Sequence, residues 1–123
     1  MYNAGERIFD IRKRTFTFGV QIVKIVNNLP KTTAGFAIGN QVIRSGTSIG
    51  ANIEEAQNSG SKKEFIHSFT ISLKEARETE YWLKIVKETG LIDLNLDNTL
   101  EELTEIIKVL TTIIKNSKIN LEK

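Results

Sequence analysis

Three breaks divide this 123-residue sequence: Pro30, Gly60 and Gly90, about 30 residues apart. Proline disfavours helical geometry in the residue before it, so a first helix from about Glu6 must stop near Asn28. A second helix spans about Thr33 to Asn58, and Gly60 is expected to close it in a left-handed conformation. The third begins at Ser61, where Ser61-Lys62-Lys63-Glu64 spells a capping box: the serine hydroxyl accepts from the Glu64 backbone and the Glu64 carboxylate reaches back. It ends near Thr89, ahead of Gly90. The fourth starts within Asp97-Asn98-Thr99, which offers N-cap oxygens before Glu101 and Glu102 at the positive helix end. It fades near Lys118, leaving a frayed tail over residues 119–123.

Apolar spacing supports the helices. The fourth carries Leu100, Leu103, Ile107, Leu110 and Ile114 on one stripe, the third Phe65, Phe69, Leu73, Ala76 and Leu83, the second Ile38, Val42, Ser45, Ile49, Ile53 and Ala56. Glu80 falls toward the third stripe, either at its edge or as a buried carboxylate that needs a partner. No segment alternates with period two. Helices of ~25 residues are ~38 Å long, and four joined by short turns pack as an antiparallel up-down-up-down bundle. The expected fold is all-α: a single four-helix-bundle domain over residues 1–123, with helices at roughly 6–28, 33–58, 61–89 and 97–118.

The first helix has two apolar stripes. Ile11, Phe18, Ile22, Ile25 and Leu29 form one; Phe9, Phe16, Val20 and Val23 form a second on the other side. The second stripe is a candidate oligomer interface; the competing reading is one wide core face. The second helix is unusual in another way. Its segment 44–52 is almost all small residues, preceded by Gly35 and Gly39, and each interior glycine costs ~1 kcal/mol in helix propensity. Close packing against a neighbouring helix by Ser45, Gly46, Ile49, Gly50 and Asn52 offsets that cost. An anion pocket is the weaker reading, because no strand precedes the glycines and no Gly-Lys-Ser/Thr follows them.

Reactive groups are few. There is no cysteine, which removes disulfides, cysteine-based zinc sites and cysteine nucleophiles. The one histidine, His67, lies off the third stripe and reads as a solvent or interface residue. Glu64-Phe65-Ile66-His67 spells one Glu-x-x-His, but a di-metal carboxylate bundle needs two. Glu75, Glu78 and Glu80 are expected to point in different directions, and Ser45, Ser48 and Ser72 have no recognisable general base. The expectation is no enzyme, no cofactor and no metal. No stretch approaches the ~20 apolar residues of a membrane span, and the N-terminal residues lack a continuous apolar signal core. A cytoplasmic protein without membrane partners is the expectation.

The formal net charge of +2 hides a split: residues 1–63 carry nine basic and four acidic groups, residues 64–123 eight and eleven. Arg7, Arg12, Lys13 and Arg14 cluster at the start of the first helix, Lys62 and Lys63 at the start of the third. In an up-down-up-down bundle these starts share one pole, where the six side chains form a candidate RNA-binding surface. A solvated charged face is the alternative. With 7% aromatic residues, mostly in apolar stripes, base stacking is not indicated.

Three stretches carry a resemblance: Arg44-Ser-Gly-Thr-Ser-Ile-Gly-Ala-Asn-Ile-Glu-Glu-Ala56, Ser61-Lys-Lys-Glu-Phe65 and Leu73-Lys-Glu-Ala-Arg-Glu-Thr-Glu-Tyr-Trp-Leu83. With Asp10 early in the first helix, they make the sequence similar to the bacterial 23S rRNA intervening-sequence proteins. That family is in turn similar to the accessory variability protein of diversity-generating retroelements. The resemblance implies a four-helix bundle assembled as a homopentamer, with structured RNA and a reverse transcriptase or another protein as possible partners. It further implies that Ser45, Ile49, Asn52 and Ile53 face Glu75, Glu78, Trp82 or their neighbours. The expected function is a non-enzymatic oligomeric scaffold that binds RNA or a ribonucleoprotein electrostatically. The alternative is a protein–protein interaction module with no nucleic-acid role.

Overall fold

Local chemistry at the breaks decides where each helix begins and ends. The computed structural model describes residues 4–122, which form α1 (Ala4–Asn27), α2 (Thr33–Ala56), α3 (Lys62–Thr89) and α4 (Asp97–Glu122), with no strand among them. The Thr32 hydroxyl caps α2 by accepting from the Gly35 amide. Ser61 caps α3, accepting from the Glu64 amide at 3.1 Å. The Glu64 carboxylate reaches back as expected, but to the Gly60 amide, one residue beyond the cap, at 2.8 Å. Gly90 closes α3 with φ 65°. Gly60 is not left-handed: Gly90 is the glycine with positive φ among the described residues. Gln57 ends α2 in ordinary helical geometry, its amide donating to the Glu54 and Glu55 carbonyls, so no left-handed residue is needed there. The α4 start uses Asn95, whose side chain accepts from the Asp97 amide at 2.9 Å. The helix continues past Lys118 to Glu122, and Lys123 lies outside the described residues.

Helices adjacent in sequence pack against each other, and α1 and α4 complete the square. This is the antiparallel four-helix bundle. Its centre holds Ile11, Ile22, Ile49, Ile53, Phe69, Leu83, Leu103 and Leu110, all fully buried. On α3 the buried face is Ile66, Phe69, Ser72, Ala76, Thr79, Leu83 and Val86, so Phe65 and Leu73 sit only half-buried at its margin. Ile106 and Ile113 join the buried face of α4.

Small residues let α2 approach α1. A methyl group on Gly46 would lie 2.8 Å from two carbons of Ile22, and one on Gly50 would lie 3.3 Å from the Thr15 backbone. The Ile22 side chain covers Gly46 and leaves no room for an anion there. Ser45 and Ile49 are fully buried, and Asn52 is half-buried with its amide donating to the Ser48 carbonyl.

At least one ion pair bridges each neighbouring pair of helices. Arg12 binds Glu54 between α1 and α2, Arg14 binds Glu102 between α1 and α4, Arg44 binds Glu75 and Glu78 between α2 and α3, and Lys87 binds Asp97 between α3 and α4. Solvent-exposed pairs of this kind contribute little to stability. Their use here is to mark which helix faces which.

Candidate functional site

Two surface regions gather the residues singled out from sequence. The first is the outer face of α1. Phe9 is 58% exposed and Phe16 73%, and Val20 and Val23 are exposed on the same side. The core needs only Ile11, Thr15, Phe18, Ile22 and Ile25 from this helix. The second stripe is therefore separate from the core and not part of one wide face.

Beside the stripe runs a groove of about 350 Å³ between α1 and α2, floored by Gly19, Gly50 and Ala51 and walled by Phe16, Val20 and Val23. A shallower continuation reaches Phe9 and Lys13. The two charged residues of the groove itself, Arg12 and Glu54, are matched to each other. Arg12 grips Glu54 with two hydrogen bonds, Nε to Oε1 at 2.8 Å and Nη2 to Oε2 at 3.0 Å. Hydrogen bonding from Arg12 holds the Glu54 carboxyl below the usual carboxylate range, and Glu54 raises Arg12 in return. The groove thus offers apolar surface with a neutralised rim.

The second region is the pole where α1 and α3 begin and α2 and α4 end. Arg7 and Lys62 line one cavity there, so the starts of α1 and α3 do meet. Lys63 is exposed beside Lys62. The other three cations go elsewhere. Arg12 is on the groove. Arg14 is held by Glu102, Nε to Oε2 at 3.1 Å and Nη2 to Oε1 at 2.6 Å. Lys13 places its ammonium 5.6 Å from the centre of the Phe9 ring, a cation–π contact. Composition revealed the cations but not the acids that answer Arg12 and Arg14, which lie 42 and 88 residues away.

The α2–α3 seam accounts for the motif residues. Glu75 and Glu78, three residues apart on a helix, share a face and converge on Arg44, contrary to the expectation that they diverge. Glu78 also accepts from the Trp82 indole at 3.1 Å. Beneath them Ser45 meets Thr79 rather than the glutamates, and the Ser72 hydroxyl donates to the Ile49 carbonyl at 2.7 Å. Glu80 lies at the stripe edge, 3.8 Å from Lys84. His67 is exposed. Among the described residues no three side chains of His, Asp or Glu are grouped to hold a metal ion, and no helix is long and apolar enough to cross a membrane.

No curated protein matches the sequence. Among solved structures, the bundle is similar to the crystal structure of a protein of unknown function from the S23 ribosomal protein family of Bacteroides thetaiotaomicron VPI-5482. The two share 39% identity at a TM-score of 0.82, over 89% of this chain and 98% of the other. The profile of the 23S rRNA-intervening sequence proteins matches residues 7–112, which include the small-residue segment of α2, the α3 cap and the Glu75–Trp82 seam. The chain belongs to the 23S rRNA-intervening sequence protein family.

Proposed function

We propose that this protein is a non-catalytic cytoplasmic scaffold that assembles with copies of itself through the α1–α2 face and binds RNA electrostatically from its basic pole. The observation that carries the assembly is the exposed row Phe9, Phe16, Val20 and Val23 beside a groove with a neutralised rim. Contiguous exposed apolar surface marks interaction sites. A second copy of this chain is the partner the reading commits to, in a homopentamer by family likeness. Assembly would present several copies of Lys62 and Lys63 together, and repeated weak phosphate contacts add in avidity.

The RNA reading is tested by anisotropy titrations of a structured RNA at 50 and 200 mM salt. Lys62 and Lys63 are the cations to reverse, because Lys13 lies on the α1 stripe and reversing Arg12 or Arg14 breaks a helix–helix ion pair. The double change to Glu is expected to abolish binding, and each single change to lower the log–log salt slope by about 1. Absence of binding at low salt rules out the RNA role. The protein-interaction module is then the better reading, and its complexes survive nuclease treatment.

A further inference from the structure

The cavity at the pole has a mixed lining and carries more polar groups than the apolar groove. Its volume is about 420 Å³, within the range of small-molecule sites, and all four helices line it. Two of its lining side chains, Arg7 and Lys62, are cationic, and among the described residues none of the lining is a carboxylate. Three are amides, Gln57, Asn116 and Asn120. Apolar contact comes from Ile8, Ile113 and Phe65, whose ring stacks on Phe69 with centroids 4.5 Å apart.

Helix dipoles do not explain a preference for anions here. Two helices begin and two end at this pole, so their terminal charges offset one another. Selectivity must come from the side chains. Among the described residues, five buried ones carry hydroxyls. Thr15, Ser45, Ser72 and Thr79 direct theirs to partners inside the bundle. The fifth, Ser117, is 9% exposed and lines this cavity. Gln57 donates its amide to the Ile53 carbonyl, which leaves its oxygen as an acceptor.

We infer that this cavity binds a nucleoside monophosphate group, as a free nucleotide or as the phosphorylated end of an RNA strand. Lys62 takes the phosphate. The amides, which both donate and accept, read the base edge, and Phe65 with the two isoleucines covers its face. The inference deepens the RNA-binding reading but stands or falls separately from it.

The test is NMR titration of the full chain with AMP, adenosine, inorganic phosphate and a short oligoribonucleotide with and without a 5′-phosphate. AMP is expected to give saturable shifts at the Ser61, Asn116, Ser117 and Asn120 amides, with at least tenfold weaker binding of adenosine and of phosphate. Lys62→Glu should remove the advantage of AMP over adenosine, and Ser117→Leu, which fills the cavity, should remove both while the helical spectrum persists. If the oligonucleotide binds only with its 5′-phosphate and AMP competes, the strand end is the ligand. If AMP binds and neither oligonucleotide does, the ligand is a free nucleotide, and the RNA reading rests on the structured-RNA titration alone. Structured RNA that binds without competition from AMP leaves the RNA reading intact and excludes the strand end as the ligand of this cavity. AMP with no saturable shift at millimolar concentration overturns the cavity assignment.

Discussion

The Thr79 hydroxyl lies 2.9 Å from the Ser45 hydroxyl, across the α2–α3 seam in the buried centre of the bundle. One Thr79 proton serves two acceptors, Ser45 Oγ and the Glu75 carbonyl at 2.7 Å. Ser45 passes its own proton to the Gln41 carbonyl at 2.9 Å. Two polar groups are thereby stored in the core without an unsatisfied atom, and small side chains at both positions let the helices approach.

Thr79→Val and Ser45→Ala are each expected to cost about 1 kcal/mol in urea unfolding, the usual net value of a buried hydrogen bond. The double variant should lose less than the sum, with a coupling of at least about 0.5 kcal/mol. Additive losses would mean that the two hydroxyls do not support each other.

Glycine replacements should rank by the space each methyl meets. Gly46→Ala pushes into Ile22, and overpacking of this kind costs about 1–3 kcal/mol. Gly46→Leu and Gly50→Leu should prevent folding or assembly outright. Nothing lies within 4 Å of a methyl on Gly19, so Gly19→Ala should gain about 0.5–1 kcal/mol of helix propensity. Melting curves at one protein concentration provide the comparison, because any self-association would add to apparent stability. Equal melting temperatures for Gly46→Ala and wild type would contradict the close packing of α1 on α2.

The Arg12–Glu54 pair sets a pH dependence of known sign. The folded Glu54 carboxyl is held below its ordinary value of 4.5. Its stabilising contribution is therefore complete above that value and disappears as pH falls through the lower, folded one. Wild type should exceed Glu54→Gln in stability near neutral pH, and the difference should shrink on acidification below the ordinary carboxylate range. A difference that grows on acidification would show that the pair is not formed in solution. The effect is small, because both side chains are exposed to solvent.

The helix ends were readable where one residue decides them. Pro30 stops α1, Ser61 caps α3 and Gly90 turns it off, each through its own backbone or hydroxyl chemistry. Gly60 departs from the expected left-handed stop because α2 already ends at Gln57 in right-handed geometry, and the Gly60 amide is used by Glu64 instead. Ser72 and Thr79 escaped an apolar count for a related reason. Their hydroxyls are satisfied inside the bundle, so they pack as small residues. The signal was present in the spacing of Phe69, Ser72, Ala76, Thr79, Leu83 and Val86, which alternates 3-4-3-4-3 once hydroxyl residues are admitted. The outer stripe of α1 was legible because four large apolar residues exceed what one core face can take. The basic pole was legible only in part. Charge is visible in a sequence, while Glu54 and Glu102 become partners of Arg12 and Arg14 only through the fold.

Sedimentation velocity on the wild-type chain and on Phe16→Glu/Val20→Lys tests the central claim, assembly through the α1–α2 face, most directly. At tens of micromolar the wild type should sediment as a discrete oligomer with a mass several times 13.9 kDa, a pentamer if the family likeness extends to assembly. The double variant should run as a single chain with an unchanged helical spectrum. A wild type that sediments as a 13.9 kDa monomer, or a variant that keeps the oligomer's mass, contradicts it.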